Sequence, residues 1–195
     1  MVNFSKIQYH QTFTWPTYDD LVDEESIVIA DFLGLIYKHG IFNEIERLIT
    51  CEHFKKTINN HDFYCVGIGH IVLMAVCNAI DTLGAYSEGA GRRNVERRFK
   101  RFISTYFPAI YKNMGKKIYD SFRCRSVHEW NLFKGSMVGL RDDPDHLKEE
   151  NDILHISLID FFNDLKVAFQ RYYEAIKSDF SVRDKLLKRY KELRG

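Results

Sequence analysis

The stretch from residue 63 to residue 86 is the most apolar part of the chain, and it limits the fold more than any other feature. Its longest apolar run, residues 66–79, is interrupted by His70 and Asn78 and is too short to span a bilayer. Polar side chains inside such a run need partners when they are buried. Four small residues would let a neighbouring helix come close: Gly67, Gly69, Ala75 and Ala79. The stretch therefore predicts the central helix of a packed bundle.

Further helices are predicted wherever apolar residues recur at helical spacing. They cover residues 18–38, 41–57, 94–106, 108 to about 123, 157 to about 176 and 181–194. Residues 59–62 are predicted to form a turn or a cap. Ser157 is placed to cap the long helix that follows it, with Asp160 at the third helical position, and Ser181 is placed to cap the last helix.

Residues 131–155 have a different character, because glycines, alternating side chains and a turn sequence at residues 142–145 replace the helical pattern. We expect a small β-hairpin here, in which residues 136–141 pair with a strand near residues 146–149 or 153–156. His146 and His155 are expected to lie on its surface. The sequence thus predicts a mainly α protein: a helical bundle with a small β-hairpin insertion before the last long helix. No linker divides residues 1–195, so we expect a single domain.

Charge and cysteine content limit the class of protein. The formal net charge is +1, so any attraction to nucleic acid has to come from a local patch. The four cysteines include no CxxC pair, and the N-terminus has no signal-peptide pattern, which together predict free thiols in the cytoplasm. No group of histidines and cysteines has the spacing of a metal site, and we expect neither a metal nor another cofactor.

Arg123 and His128 form an R-x4-H pair where the helical pattern ends. On a continuous helix the two side chains would point about 140° apart, so they converge only if the helix ends between them or if pairs from two subunits meet across a two-fold axis. They suffice for RNA cleavage without a metal, since histidine can move a proton at the ribose 2′-hydroxyl or the 5′-oxygen and arginine can bind the phosphate. The alternative is structural, with Arg123 in a helix-terminal ion pair and His128 as a cap or half-buried surface residue.

Basic residues are concentrated at the start of the helix that follows the central one: Arg92, Arg93, Arg97, Arg98, Lys100 and Arg101. Such a run could follow a phosphate backbone and bind nucleic acid, or it could form a solvated helix face.

Asp81, on the central helix, is a predicted support residue, because an acidic group in the bundle interior could pair with Arg123 and hold its guanidinium. A tertiary ion pair or a cap is the alternative role for Asp81.

Residues 119–129, with the sequence YDSFRCRSVHE, resemble the signature of the HEPN (higher eukaryote and prokaryote nucleotide-binding) superfamily, in which an R-x4-6-H motif follows an aromatic-rich helix of a four-helix bundle. Residues 79–84 are similar to the matching central-helix segment of bacterial HEPN-like proteins. The resemblance covers about residues 63–178 as a four-helix core and leaves residues 1–62 as an N-terminal helical elaboration.

The resemblance implies a homodimer with the motifs at the interface. It also implies that Arg123 binds phosphate and that His128 acts as general acid or base. Glu129, next to His128 in the sequence, is a predicted support residue. Cys124 departs from the family pattern, because active members commonly have Asn, Asp or His directly after the arginine.

Two hypotheses for the function follow. The first is a metal-independent endoribonuclease or RNA-binding protein of toxin–antitoxin or phage-defence type, with RNA as its substrate, an antitoxin or another protein as its partner, and no membrane contact. The second is a non-catalytic helical module for protein interaction or dimerisation, which fits the aromatic-rich helix faces, the near-neutral net charge and Cys124. A nucleotide-binding sensor that uses the basic helix is a third alternative.

Overall fold

A computed structural model of the chain describes residues 24–34, 36, 40–50, 55–58, 61–64, 66–89, 94–124, 136–139 and 146–194. Over these residues the protein is mainly helical, as predicted, and it has two small β-sheets. The α-helices are α1 (Glu24–Leu33), α2 (Ile41–Thr50), α3 (Val66–Glu88), α4 (Val95–Tyr106), α5 (Gly115–Ile118), α6 (Leu158–Ser178) and α7 (Phe180–Arg194). The strands are β1 (Lys55–Ile58), β2 (His61–Tyr64), β3 (Ser136–Gly139), β4 (Glu149–Glu150) and β5 (Ile153–Ser157).

Helix α3 is the centre of the bundle, as its apolar sequence predicts. It contacts α2, α4, α6 and α7. Among the described residues, one helical stretch, Gly69–Glu88, is long and apolar enough to cross a membrane by length and composition alone. However, 72% of its most apolar window is buried inside the protein, which is the pattern of a core helix. The polar residue Asp81 lies within this buried stretch and is only 7% exposed.

Aromatic rings fill the space between α4 and α6. Tyr172 of α6 packs edge-on against Phe102 and Tyr106 of α4, with ring centroids 5.8 and 5.1 Å apart. Arg171, beside it in sequence, donates to the backbone carbonyls of Tyr106 and Phe107 at 3.1 and 2.8 Å. These carbonyls lie at the end of α4, where no further helical turn can bond them. The aromatic contacts and this arginine together hold α6 against α4.

Buried tyrosines should make the protein sensitive to alkali. Burial raises the pKa of five tyrosines: Tyr86, Tyr106, Tyr111, Tyr119 and Tyr172. A group whose pKa is raised on folding stabilises the native state below its unfolded pKa, about 10 for tyrosine, and this contribution is lost as the pH rises further. We expect a pH titration of the phenolate absorbance to show late tyrosines that ionise together with loss of the far-UV dichroism. Ionisation of all eleven tyrosines near pH 10 without loss of helix would contradict this.

The first sheet was not predicted from the sequence. Strands β1 and β2 pair antiparallel, with Ile58 opposite His61, and two asparagines separate the strands in the sequence. The helix expected over residues 41–57 therefore ends at Thr50, and the central helix begins at Val66 instead of residue 63. Asparagine tolerates the positive φ angles that two-residue hairpins require, so the sequence of residues 59–62, which predicts a turn or a cap, is also compatible with a hairpin.

The second sheet confirms the small β insertion before the long helix but changes its pairing. Strands β4 and β5 form the antiparallel hairpin, whereas β3 pairs with β5 in parallel, with Ser136 opposite Leu154. Residues 153–156 were one of the two partners expected for residues 136–141, and β5 is the observed partner. However, β3 and β5 are parallel and therefore do not form a hairpin. Ser157, at the end of β5, accepts a hydrogen bond from the Asp160 N–H at 3.2 Å and caps α6, as predicted.

Two helix boundaries differ from the sequence expectation. The continuous helix expected up to about residue 123 consists of a 3₁₀ turn (Ala109–Tyr111), the short α5 and a π-helical turn (Tyr119–Cys124). The last helix is capped by Asp179 and not by Ser181, because the Ser181 N–H donates to the Asp179 carboxylate at 2.8 Å. Asp179 also accepts, through its backbone carbonyl, the first helical bond from Arg183 at 3.1 Å.

Candidate functional site

Arg123 lies in the π-helical turn that follows α5. The turn spans Tyr119–Cys124, and the Arg123 side chain is 20% exposed. Single π-helical turns shift the direction of the side chains that follow and are common at functional sites. In the sequence, Arg123 lies where the apolar residues stop recurring at α-helical spacing. The π-helical turn is wider than an α-helical turn, which explains why the spacing changes there.

The guanidinium of Arg123 is held on two sides by residues of the bundle. Its Nε donates to Asp81 Oδ2 on α3 at 2.9 Å, in a pair whose carboxylate side chain is 10% exposed. Its central carbon lies over the ring of Tyr119, 5.7 Å from the centroid, within the range of a cation–π contact. The Asp81 bond uses Nε and orients the guanidinium. The ion pair considered for Asp81 from the sequence is present.

Burial sets the electrostatics of this pair. Burial raises the pKa of the Asp81 carboxyl, and the hydrogen bond and charge of Arg123 oppose the rise, as does the charge of Arg98. Burial lowers the pKa of Arg123, but the bond to Asp81 outweighs it, so the pKa of Arg123 is raised above its ordinary value. Arg123 therefore stays charged, and loss of either partner would leave the other as a poorly solvated group.

Several predicted site residues lie outside the described residues. These are His128 and Glu129 of the motif and Arg92 and Arg93 of the basic run. Their roles stay predictions from the sequence.

The described part of the basic run is largely engaged in ion pairs within the chain. Arg97 and Arg101 both lie near the carboxylate of Glu88, at 3.6 and 3.0 Å, and Lys100 pairs with Glu96 at 2.7 Å. The Arg97 and Arg101 side chains are still about two-thirds exposed, at 65% and 63%. These pairs reduce the positive potential of α4 but leave its two exposed arginines accessible to an anion. Arg98 and Asp81 line the same cleft, and the charge of Arg98 acts to lower the pKa of the Asp81 carboxyl.

A cleft of about 230 Å³ opens beside the Asp81–Arg123 pair, and we refer to it as the Asp81 cleft. Residues of α3, α4 and α7 line it: Asn78, Asp81, Thr82, Ala85, Tyr86, Arg98, Arg189 and Leu193. Asp81 Oδ1 and Arg189 Nε are buried and have no hydrogen-bond partner within the described part of the chain. The two oxygens of Asp81 thus have different surroundings, since Oδ2 binds Arg123, whereas Oδ1 is buried and has no hydrogen-bond partner among the described residues.

The sequence did not predict a hydrogen-bonded network of three side chains. His146 Nδ1 accepts from the Ser157 N–H at 3.0 Å, so we assign the ring proton to Nε2, which lies 2.7 Å from the Tyr111 hydroxyl. Tyr111 in turn donates to Asp164 Oδ2 at 2.7 Å. His146 was expected on the surface, and that expectation is wrong, because its side chain is only 13% exposed. The network joins the 3₁₀ turn, the β-insertion and α6, which are far apart in sequence.

We expect Tyr111→Phe to lower the free energy of unfolding by about 1–3 kcal/mol, because it removes the hydroxyl that bridges His146 Nε2 and Asp164 Oδ2, which lie 3.7 Å apart and too far for a direct hydrogen bond. Urea unfolding followed by circular dichroism would measure the change. Tyr172→Phe is the matched control, since the Tyr172 hydroxyl is buried and has no hydrogen-bond partner among the described residues. Its removal should be neutral or stabilising, and equal destabilisation by both variants would contradict the role of the network.

No group of three or more potential metal-binding side chains occurs among the described residues. Cys77 is a buried free thiol, and Cys124 is a partly exposed one. Comparisons with models of known protein families, with curated proteins and with solved structures found no match to this chain.

Proposed function

We propose that this protein is a cytoplasmic, metal-independent endoribonuclease or RNA-binding protein of HEPN-like type that acts as a homodimer. In this proposal Arg123 binds the phosphate that is cleaved, and His128 transfers the proton. RNA is the substrate, and a toxin–antitoxin or phage-defence role with an antitoxin partner is the biological setting. The free thiols of Cys77 and Cys124 suit a reducing compartment.

One observation carries the proposal: the Arg123 guanidinium is fixed at the end of its helix by Asp81 and by the Tyr119 ring. A preoriented arginine loses little freedom when it binds a phosphate, and its fork can bind two phosphate oxygens. The motif histidine follows five residues later, after the π-helical turn. The exposed Arg97 and Arg101 of α4 would attract the RNA backbone by their positive charge.

A ribonuclease assay in EDTA on purified protein tests the proposal. We expect cleavage without added metal, and we expect 2′,3′-cyclic phosphate ends, because the ribose 2′-hydroxyl is the nucleophile when histidine and arginine act without a metal. Analysis of the product ends separates this chemistry from that of a contaminating metal-dependent nuclease. Absence of cleavage over a broad RNA panel would reject the nuclease.

The second candidate is a non-catalytic helical module for protein interaction or dimerisation. The observation in its favour is that charged side chains of the site and of α4 already have partners within the chain, notably in the pairs Asp81–Arg123 and Glu88–Arg101. Such pairs can be purely structural. Under this alternative the protein binds itself or another protein and is inert on RNA.

A further inference from the structure

We propose that the Asp81 cleft binds a guanine base, and that it is the base-recognition site of the protein. This inference rests on the proposed RNA function for the source of the base. It adds a specificity that neither the R-x4-H pair nor the basic helix provides, because phosphate contacts carry no information about base identity.

Two residues that line the cleft, one acidic and one basic, each have a buried polar atom without a hydrogen-bond partner among the described residues. Asp81 Oδ1 and Arg189 Nε are both buried and lack hydrogen-bond partners among the described residues. Leaving such groups unpaired is costly, so a ligand that both donates and accepts is favoured. A simple oxyanion would satisfy the arginine but would face the carboxylate unfavourably. A neutral heterocycle satisfies both groups.

The size and walls of the cleft also suit a base. Its volume of about 230 Å³ accommodates a heterocyclic ring with part of its sugar and excludes a duplex. Ala85, Tyr86 and Leu193 supply apolar contact, while Asn78 and Thr82 add polar groups near α3. Recognition of single-stranded RNA commonly combines contact with the face of a base and hydrogen bonds to its edges.

Guanine matches the charged groups better than the other bases. Its N1–H and N2–H can both donate to one carboxylate, whereas its O6 and N7 are the preferred acceptors for arginine. Adenine presents an acceptor at N1, where guanine has a donor, and it would meet Asp81 with one fewer hydrogen bond. Arg98 and Arg189 line the same cleft as Asp81, so both edges of guanine have partners of the correct type.

Asp81 would then connect base recognition to phosphate binding. Its Oδ2 holds Arg123 at 2.9 Å, and its Oδ1 would accept from the base. A base in the cleft therefore contacts the same carboxylate that orients the predicted phosphate-binding arginine. We expect cleavage to prefer sites next to guanine.

Isothermal titration calorimetry with guanosine and adenosine 5′-monophosphates tests the proposal on the full chain. The two nucleotides have the same charge, so phosphate binding alone would give equal affinities. We expect the guanine nucleotide to bind at least about ten-fold more tightly, in keeping with the discrimination of a bidentate base contact. Equal affinities, or no binding of the guanine nucleotide at millimolar concentration, would overturn the inference.

Arg189→Met should weaken guanine nucleotide binding by about ten-fold or more, because it removes the guanidinium of a residue that lines the cleft. Lys188→Met removes the same charge one residue earlier, at an exposed position that does not line the cleft, and should leave the affinity unchanged. Leu193→Trp gives a second test that alters no buried polar group, since Leu193 is 56% exposed and lines the cleft. We expect the larger ring to block binding. Unchanged affinity in both cleft variants would exclude the cleft as the site.

The outcomes separate this inference from the proposed nuclease. Guanine-selective binding without RNA cleavage would support the base site and reject the nuclease. Cleavage in EDTA without selectivity for guanine, in binding and in the sites cut, would support the nuclease and reject the base site.

Discussion

Replacing His128 with alanine is expected to lower the rate of RNA cleavage by about 10²–10⁴-fold, because the reaction loses the group that transfers a proton at the ribose or at the leaving oxygen. The rate would be measured in EDTA at equal concentrations of folded wild-type and variant protein. The circular dichroism spectrum of the variant should be unchanged if His128 acts in chemistry alone.

The control for this prediction is His155→Ala, which removes a different histidine, one that lies on strand β5. The described contacts of His155 with Leu147 and Lys148 use its backbone, so the substitution should leave cleavage intact. Equal activity of wild-type and His128→Ala protein would eliminate His128 as acid or base.

Arg123→Lys adds a distinct test, because lysine keeps the charge but loses the planar fork. We expect this variant to lose most of the cleavage activity.

Replacing Gly84 with alanine is expected to lower the free energy of unfolding by about 1–3 kcal/mol, because helices α3 and α4 leave no room for a methyl group at that position. A Cβ atom on Gly84 would lie 2.9 Å from the backbone oxygen of Arg98 and 3.2 Å from its carbonyl carbon. Backbone cannot rotate away as a flexible side chain can, so the two helices must move apart. For a protein of this size each kcal/mol lowers the melting temperature by about 2–4 °C, which scanning calorimetry would detect.

Gly69→Ala is the matched control on the same helix. The nearest atom to a Cβ there is a side-chain carbon of Leu158 at 3.6 Å, an ordinary contact distance. Alanine is better than glycine in a helix interior by about 1 kcal/mol, so this variant should be neutral or more stable. Destabilisation of both variants to the same extent would show that the close approach at Gly84 is not the cause.

The Gly84 variant should also affect the candidate site. Arg98 and Asp81 line the same cleft from α4 and α3, so separation of these helices would widen it. We expect loss of guanine selectivity in Gly84→Ala even at temperatures where the protein is folded. Intact selectivity in the folded variant would mean that the helix spacing at Gly84 does not shape the cleft.

Helix content, the buried faces and the β insertion could be predicted from local pattern. The stripe of Phe99, Phe102, Ile103 and Tyr106 on α4 is buried as its spacing implies, and the Ser157 cap forms with the Asp160 N–H. These features depend on residues within one or two turns of each other. The β1–β2 hairpin, the broken helix at residues 109–124 and the parallel pairing of β3 were not predicted, because strand pairing and helix irregularities depend on contacts outside the local window.

The features of the candidate site also divide into those that local sequence predicts and those that depend on tertiary contacts. The sequence by itself determined the motif, the basic run and the presence of an acidic residue on an apolar helix. Only the tertiary structure decided that Asp81 binds Arg123 through one oxygen and lines a cleft, that Glu88 pairs with Arg97 and Arg101, and that His146 bonds Tyr111. The physical reason is distance along the chain: periodicity specifies which face of a helix is buried, but the side chains that meet there come from elements far apart in sequence, 53 residues in the case of Tyr111 and Asp164.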